Sequence, residues 1–323
     1  MSYFSRNRFD RNTLIVGGAV LIGFLTFAVV PRAFAWGTEG HRVTGMVASE
    51  LLTPRARIRV NQIIAGGDLS DIALYMDINR KELSEKIPGS EKWHYDNQPV
   101  CKTLTFEQYC PKDECASAKI PMVAKVLKEG DAPNLDRAMA LRFLVHMIGD
   151  IHQPLHAADD GDLGANLKFV LIPESDLGRR LHGVWDTDIV KRALRGANET
   201  AYAKDLLQRF KDSVPAWQGG TVRDWMNESH SLSKYVTYAK LPKFECGKPW
   251  ESTIVSPVPL TEEYMKVAAD TVPAQLAKAG ARIAYMLNQA LDPEARPDLP
   301  KAPAATLAPL TDPSKIDEKP SAK

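Results

Sequence analysis

The sequence predicts a mainly α fold gathered into one bundle-like domain. Three observations carry this. Apolar residues recur at three- and four-residue spacing in five separate stretches. Strictly alternating stretches are almost absent, and no Gly/Ser linker divides the chain before about residue 295.

The first stretch, HRVTGMVASELL, puts Val43, Met46, Val47 and Leu51 on one helical face. In the second, PRARIRVNQII, Pro54 stands at a helix start, where its missing N–H is no loss. The third, LDRAMALRFLVHMIGDIHQPL, is the strongest, with Leu135, Ala138, Leu141, Leu144, Val145 and Ile148 in register until Pro154 turns the chain. LHGVWDTDIVKRAL and TVPAQLAKAGARIAYMLNQAL continue the pattern to residue 291. One stretch, NLKFVLI at 166–172, is expected to form a strand of a short β-hairpin. An amphipathic helix must bury its apolar stripe, and helix on helix is the simplest solution.

The ends differ from the middle. Arg6, Arg8 and Arg11 precede TLIVGGAVLIGFLTFAVV, residues 13–30, which carries no charge, and Ala33-Phe34-Ala35 gives an A-x-A site. Residues 1–35 therefore read as a cleaved signal peptide, with an uncleaved membrane anchor as the alternative. Residues 295–323 are rich in Pro, Ala and Lys, lack aromatics, and are expected to be a disordered tail. That leaves 36–294 as the folded domain. Removing four Arg and one Asp with the leader takes the chain from 41 basic and 40 acidic residues to 37 against 39. Bulk charge then offers no attraction for a polyanion, so something other than bulk Lys and Arg must meet such a substrate, and divalent metal would serve.

Four cysteines, Cys101, Cys110, Cys115 and Cys246, follow the leader. An even number in an exported chain suggests two disulfides, and four cysteines allow three pairings. Cys110 and Cys115 bracket a plausible small loop. A zinc–thiolate site is the rival, disfavoured by the absence of CxxC.

Seven histidines occur, and their neighbours matter more than their number. His146 stands four before Asp150, and His182 four before Asp186. On a helix each pair shares a face, offering imidazole and carboxylate to one metal ion. One such pair is ordinary on an exposed helix. Two on apolar helices are not, because a carboxylate facing a bundle interior is costly unless paired or metal-bound. Asp77, His94, His41 and His156 are further candidates, and nitrogen and oxygen donors without thiolate suit zinc in a hydrolytic site. Cleavage before Trp36 would add one more ligand, since a free α-amine has a pKa of ~7.7–8.0 and chelates together with its own carbonyl.

With these residues in view, the chain resembles the S1/P1 nuclease family of the phospholipase C/P1 nuclease superfamily. WGTEGH, ALYMDINR, WHYDNQP, LRFLVHMIGDIHQPLH, LGANLKF and LHGVWDTDIV carry the resemblance in order and spacing. It implies a helical-bundle fold and three zinc ions. One would be held by Asp77, His94, His146 and Asp150. The second would be held by the Trp36 amine and carbonyl, His41 and the other side of Asp150, and the third by His156, His182 and Asp186. It implies Asp77, Asp150 and Arg80 in catalysis, with Tyr95, Asn97 and Asn166 touching substrate. It implies the pairings Cys101–Cys246 and Cys110–Cys115. The implied activity is hydrolysis of single-stranded DNA and RNA to 5′-phosphates, with 3′-nucleotides also cut, by a secreted or periplasmic monomer without a stable protein partner. His152 is left as helix surface or support to the ligands, and His230 as a loop residue. Two departures stand out. The family's Gly-Gly-Asn is Gly164-Ala165-Asn166 here, and Asn97 stands where fungal members have a base-reading aspartate, with Asp96 just before it. Two rivals remain: a zinc phospholipase C on the same scaffold, and a secreted metal-binding protein without catalysis.

Overall fold

The structure is a computed structural model that describes residues 36–130, 135–173, 175–292 and 294. The expected leader at 1–35 and tail at 295–323 lie outside these residues.

The chain enters through a left-handed turn at Trp36 (φ 32°) and Gly37 (φ 40°) into the first helix, Gly37–Glu50. Its Val43 and Val47 are fully buried, as the spacing predicts. It packs along the last helix, Glu262–Leu291, at Gly280, where an added Cβ would lie 2.4 Å from Val47 Cγ1 and 3.0 Å from the Thr44 carbonyl. The last helix starts before the apolar stretch read from the sequence, with Thr261 Oγ1 accepting from the Tyr264 N–H, and Pro273 sits inside it without ending it. The helix Pro54–Ile64 has Pro54 in its first turn and is capped by Thr53.

The central helix, Arg137–Asp150, is capped by Asp136, whose Oδ1 accepts the Met139 N–H at 2.7 Å. From Met139 onward all but Arg142 are buried, so it is wrapped on every side rather than half-exposed. The helices Ala116–Glu129 and Glu262–Leu291 pack against it. It stops at Asp150, and Pro154–Ala157 forms a 3-10 turn carrying His156.

The expected hairpin is present but gains a third strand. β1 (Phe169–Leu171) pairs antiparallel with β2 (Arg179–Arg180) and parallel with β3 (Val258–Pro259). After β2 the chain is helical from Leu181 to Leu194, yet not uniformly so: Val184–Asp188 is a π-helical bulge between two α-helical pieces. The disulfides are Cys101–Cys246 and Cys110–Cys115, the pairing the resemblance implied. No helix among the described residues is long and apolar enough to cross a membrane.

Two hydrophobic cores result. One surrounds the central helix and includes Met76, Trp93 and Val145; the other includes Trp36, Leu155, Leu181 and Trp185. Asp77, His94 and His146 follow the first three in sequence. His156, His182 and Asp186 follow the last three. The candidate ligands thus lie on the seam between the cores, each anchored by a buried neighbour.

The Val47 contact makes Gly280 a test of the helix packing on which His41 depends. Gly280→Ala forces Val47 or the helix backbone to move and should destabilise the fold by about 1–3 kcal/mol. Chemical denaturation would measure this, and an unchanged midpoint would show that the two helices can separate freely.

Candidate metal centre

Asp150, at the end of the central helix, is fully buried and meets three imidazoles. Its Oδ2 lies 2.8 Å from His94 Nδ1 and 3.3 Å from His146 Nε2, and its Oδ1 lies 3.2 Å from His41 Nε2. Asp77, on the single helical turn Tyr75–Ile78, faces the same histidines, 3.7 Å from His146 Nε2 and 3.8 Å from His94 Nδ1. Gly149 leaves room for the His41 ring: a Cβ there would stand 2.9 Å from Nδ1. On the other side, His156 Nε2 and His182 Nε2 are 3.1 Å apart, with Asp186 Oδ2 3.6 Å from the latter. Donor atoms thus cluster within 4.8 Å in three trios: His41, Asp77 and His146; His94, His146 and Asp150; His156, His182 and Asp186. The i,i+4 spacing of His182 and Asp186 spans the junction into the π-helical bulge, a feature that often marks functional sites.

Hydrogen bonds from outside the trios decide what these donors can do. His146 Nδ1 donates to the Ala73 carbonyl, His156 Nδ1 to the His94 carbonyl, and His182 Nδ1 to the Gly164 carbonyl, at 2.7, 2.7 and 2.6 Å. A carbonyl only accepts, so each of these rings presents a bare lone pair at Nε2 whenever it is neutral. Burial lowers His156 to about 3, and burial likewise lowers His182, so both rings are neutral near pH 7. Two lone pairs then face each other at 3.1 Å with no proton between them. Asp77 Oδ2, Asp150 Oδ1, Asp186 Oδ2 and both ring nitrogens of His41 are buried without a hydrogen-bond partner. Burial holds the Asp186 carboxyl well above the usual carboxylate range, with only the Gln153 amide, 2.7 Å away, to oppose it. Converging lone pairs and orphaned carboxylate oxygens are what bound cations satisfy, and oriented Nδ1–H···O=C bonds are the usual support of metal-binding imidazoles. The residues fit divalent metal.

A cleft of about 230 Å³ opens onto this cluster. Asp77, His94, His156 and His182 line it, and so do Arg80, Tyr95, Asn97 and Asn166. The three substrate-contact candidates and the catalytic candidate Arg80 therefore line one opening. Asp96 does not: it is buried and accepts from the Ser117 N–H and hydroxyl, holding the start of the helix Ala116–Glu129.

Comparison with known proteins places this geometry. The S1/P1 nuclease family model matches residues 36–292. The chain belongs to the S1/P1 nuclease family. It is 24% identical to nuclease S1 of Aspergillus oryzae over 83% of this chain and 96% of that protein. It is 25% identical to nuclease P1 of Penicillium citrinum over 79% and 97%, and 26% identical to endonuclease 3 of Arabidopsis thaliana over 81% and 90%. Like the family, the chain is a phosphodiester hydrolase with nucleic acid as its substrate.

Two expectations change, at His152 and at His230. His152 is not on the surface: it is fully buried, Nδ1 donating to the Ile148 carbonyl and Nε2 accepting from Arg282 at 2.9 Å. His230 is not in a loop but near the end of the helix Val222–Leu232, donating to the Ala157 carbonyl. Ala165 does take the left-handed conformation, φ 64°, between Gly164 at 62° and Asn166, and Leu163 before them is at 58°. A non-glycine residue there costs about 1–2 kcal/mol, so the turn is held by its surroundings. Sequence reasoning passed over Gln153, whose amide holds Asp186 and whose Oε1 accepts the Leu155 N–H; its place between His152 and Pro154 was the available signal.

The ion-free protein should show a distinctive pH response. Against burial, the Asp150 and Asp77 carboxylates push His146 up to about 9. Its unfolded value is ~6.5, so the stabilisation is complete below that pH and is lost as pH rises through about 9. Asp186, favoured neutral by burial, acts in the same direction. His94, His156 and His182 are lowered by burial and oppose this only as pH falls below ~6.5. Chelated protein should therefore lose melting temperature from about pH 6.5 to 9, while metal-loaded protein should not, because metal replaces the proton. Melts with and without chelator would decide it; parallel curves across that range would count against metal at His146.

Proposed function

We propose that this chain is an exported three-zinc endonuclease that cuts single-stranded DNA and RNA, leaving 5′-phosphates, and that also removes phosphate from 3′-nucleotides. The observation that carries the metal reading is the bare, buried pair of Nε2 atoms on His156 and His182 beside the orphaned Asp186 oxygen. In this reading Asp77, His94, His146 and Asp150 hold one zinc. The Trp36 amine and carbonyl, His41 and the other Asp150 oxygen hold a second, and His156, His182 and Asp186 hold the third. Bound zinc supplies positive charge for the phosphate oxygens and lowers the pKa of the attacking water.

The chain's own residues do the rest. Asp150 would be the ligand common to the first two ions, and Asp77 would serve the first alone, over the same His94 and His146 that Asp150 meets. The Arg80 guanidinium, with one nitrogen 3.4 Å from the Glu91 carbonyl, is steadied at the cleft to meet phosphate oxygens. Tyr95 offers a ring face to an unstacked base, and Asn97 and Asn166 offer amides that both donate and accept. A cleft of about 230 Å³ suits a single splayed nucleotide rather than a duplex, which supports the single-strand preference. Export is supported by two disulfides, which persist in oxidising compartments. The start of the family match at residue 36 supports cleavage just before it.

Digestion of single- and double-stranded DNA and RNA, with and without chelator, tests the reading. Chelator should abolish cutting, and single strands should be cut well ahead of duplexes. Asp150→Asn should lose more than the ~10–100-fold that loss of a residue merely supporting a ligand costs. A folded Asp150→Asn enzyme with wild-type turnover would exclude the shared role. The N-terminus gives an independent test. One extra residue retained before Trp36 removes the amine and should lower activity at least tenfold, with loss of one ion by elemental analysis. Full activity and full metal content in such a protein would rule the amine out.

A further inference from the structure

Lys168 is buried, 2% exposed, in the second core. Its ammonium lies 3.2 Å from Asp162 Oδ2 and 3.3 Å from Asp160 Oδ2. It is boxed by three rings, with centroids 5.6 Å away for Tyr238, 5.2 Å for Phe244 and 5.0 Å for Trp250. A cation ordered this completely needs a reason, since lysine is almost never fully buried unless paired. The reason lies in what Asp162 does. Its carboxylate accepts from the Tyr238 hydroxyl at 3.0 and 3.1 Å, and its Oδ1 accepts the Ala165 N–H at 2.8 Å. Asp159 Oδ1 accepts the N–H groups of Asp162 and Gly164. Together these bonds hold the three consecutive left-handed residues Leu163, Gly164 and Ala165. That turn delivers the Gly164 carbonyl to His182 Nδ1 at 2.6 Å, and the Lys168 carbonyl accepts the Leu181 N–H at 2.8 Å just before His182.

We infer that caged Lys168 is a positioning residue for the His156–His182–Asp186 trio. Acting through Asp162 and the strained 163–165 turn, it fixes His182 with its Nε2 lone pair aimed at a metal ion. The inference rests on the trinuclear reading for its metal consequence but not for its geometric one. No covalent step is involved. Lys168 neutralises the carboxylates that hold the turn, and the turn supplies the acceptor that sets the His182 tautomer.

Two variants test it: Lys168→Met, which keeps an unbranched apolar stem without the charge, and Tyr238→Phe, which deletes only the hydroxyl on Asp162. Zinc content is measured by elemental analysis during titration with a chelator. Both variants should lose one ion at a chelator concentration at least about tenfold below that needed for wild type, while the other two stay. In chelated protein, the His182 Nδ1–H, followed by 15N-edited NMR, should exchange at least about tenfold faster than in wild type, with His146 Nδ1–H unchanged. Retention of all ions at wild-type chelator resistance would overturn the inference, as would simultaneous loss of all three, which marks general loosening. If Lys168→Met fails to fold, Tyr238→Phe decides. A wild-type count below three would sink the trinuclear reading alone, and the exchange rates would then decide the role of Lys168.

Discussion

Asp150 is the constraint around which the centre is arranged. It is a carboxylate with no access to water, at the end of a helix buried on all sides. Such a charge survives only if positive or donor groups surround it. His41, His94 and His146 do so from three different elements: the first helix, the segment after the turn Ser90–Lys92, and the central helix itself. The three imidazoles and Asp150 therefore cannot be placed independently. Gly149, beside Asp150, yields the space that His41 occupies. The helix packing that brings His41 there relies in turn on Gly280 along the last helix. Packing of the fold and assembly of the site are one problem.

The second organising feature is the use of backbone carbonyls to aim imidazoles. Ala73, His94 and Gly164 each accept an Nδ1–H, so the ring orientation is set by chain path rather than by a mobile side chain. This couples ligands in series. The His94 side chain faces Asp150 while its carbonyl orients His156, so a shift of this one residue is felt in two of the three trios. The carbonyl of Gly164 comes from the most strained turn in the neighbourhood of the cleft. Strain is tolerable there because Asp159 and Asp162 bond nearly every free N–H of the turn.

Much of this was legible in the sequence, and the limits have physical causes. The central helix and the first helix were visible because one face of each is apolar at helical spacing. The i,i+4 pairs marked His146/Asp150 and His182/Asp186 because burying a carboxylate on an apolar helix demands a partner. The resemblance in motif order supplied the disulfide pairing, which spacing alone left open, and named the remaining candidate ligands that the fold brings together. What stayed hidden was whatever depends on long-range contact. His152 reads as helix surface or as support to the ligands when only its neighbours are known, and the choice stays open because its partner Arg282 is 130 residues away. The parallel β3 joins β1 from about 90 residues downstream, and a two-residue strand carries no pattern of its own. Lys168 looks like an ordinary polar residue in NLKFVLI, and only the folded chain brings Tyr238, Phe244 and Trp250 around it.

The distribution of charge explains how a near-neutral chain can act on a polyanion. Among the described residues Arg80 is the one Lys or Arg side chain that lines the cleft, and Asp77 lines it beside the candidate ligands His94, His156 and His182. Left to themselves these side chains give the cleft no net attraction for phosphate. The buried carboxylates Asp77, Asp150 and Asp186 are nonetheless what makes the cleft suitable, because each is short of partners that a divalent cation would provide. If metal ions are those partners, as proposed, affinity for nucleic acid would be set by metal loading rather than by surface lysine and arginine. On that proposal, binding of the substrate and binding of metal are linked equilibria, and an ion-free chain should be poor not only at cutting nucleic acid but at holding it.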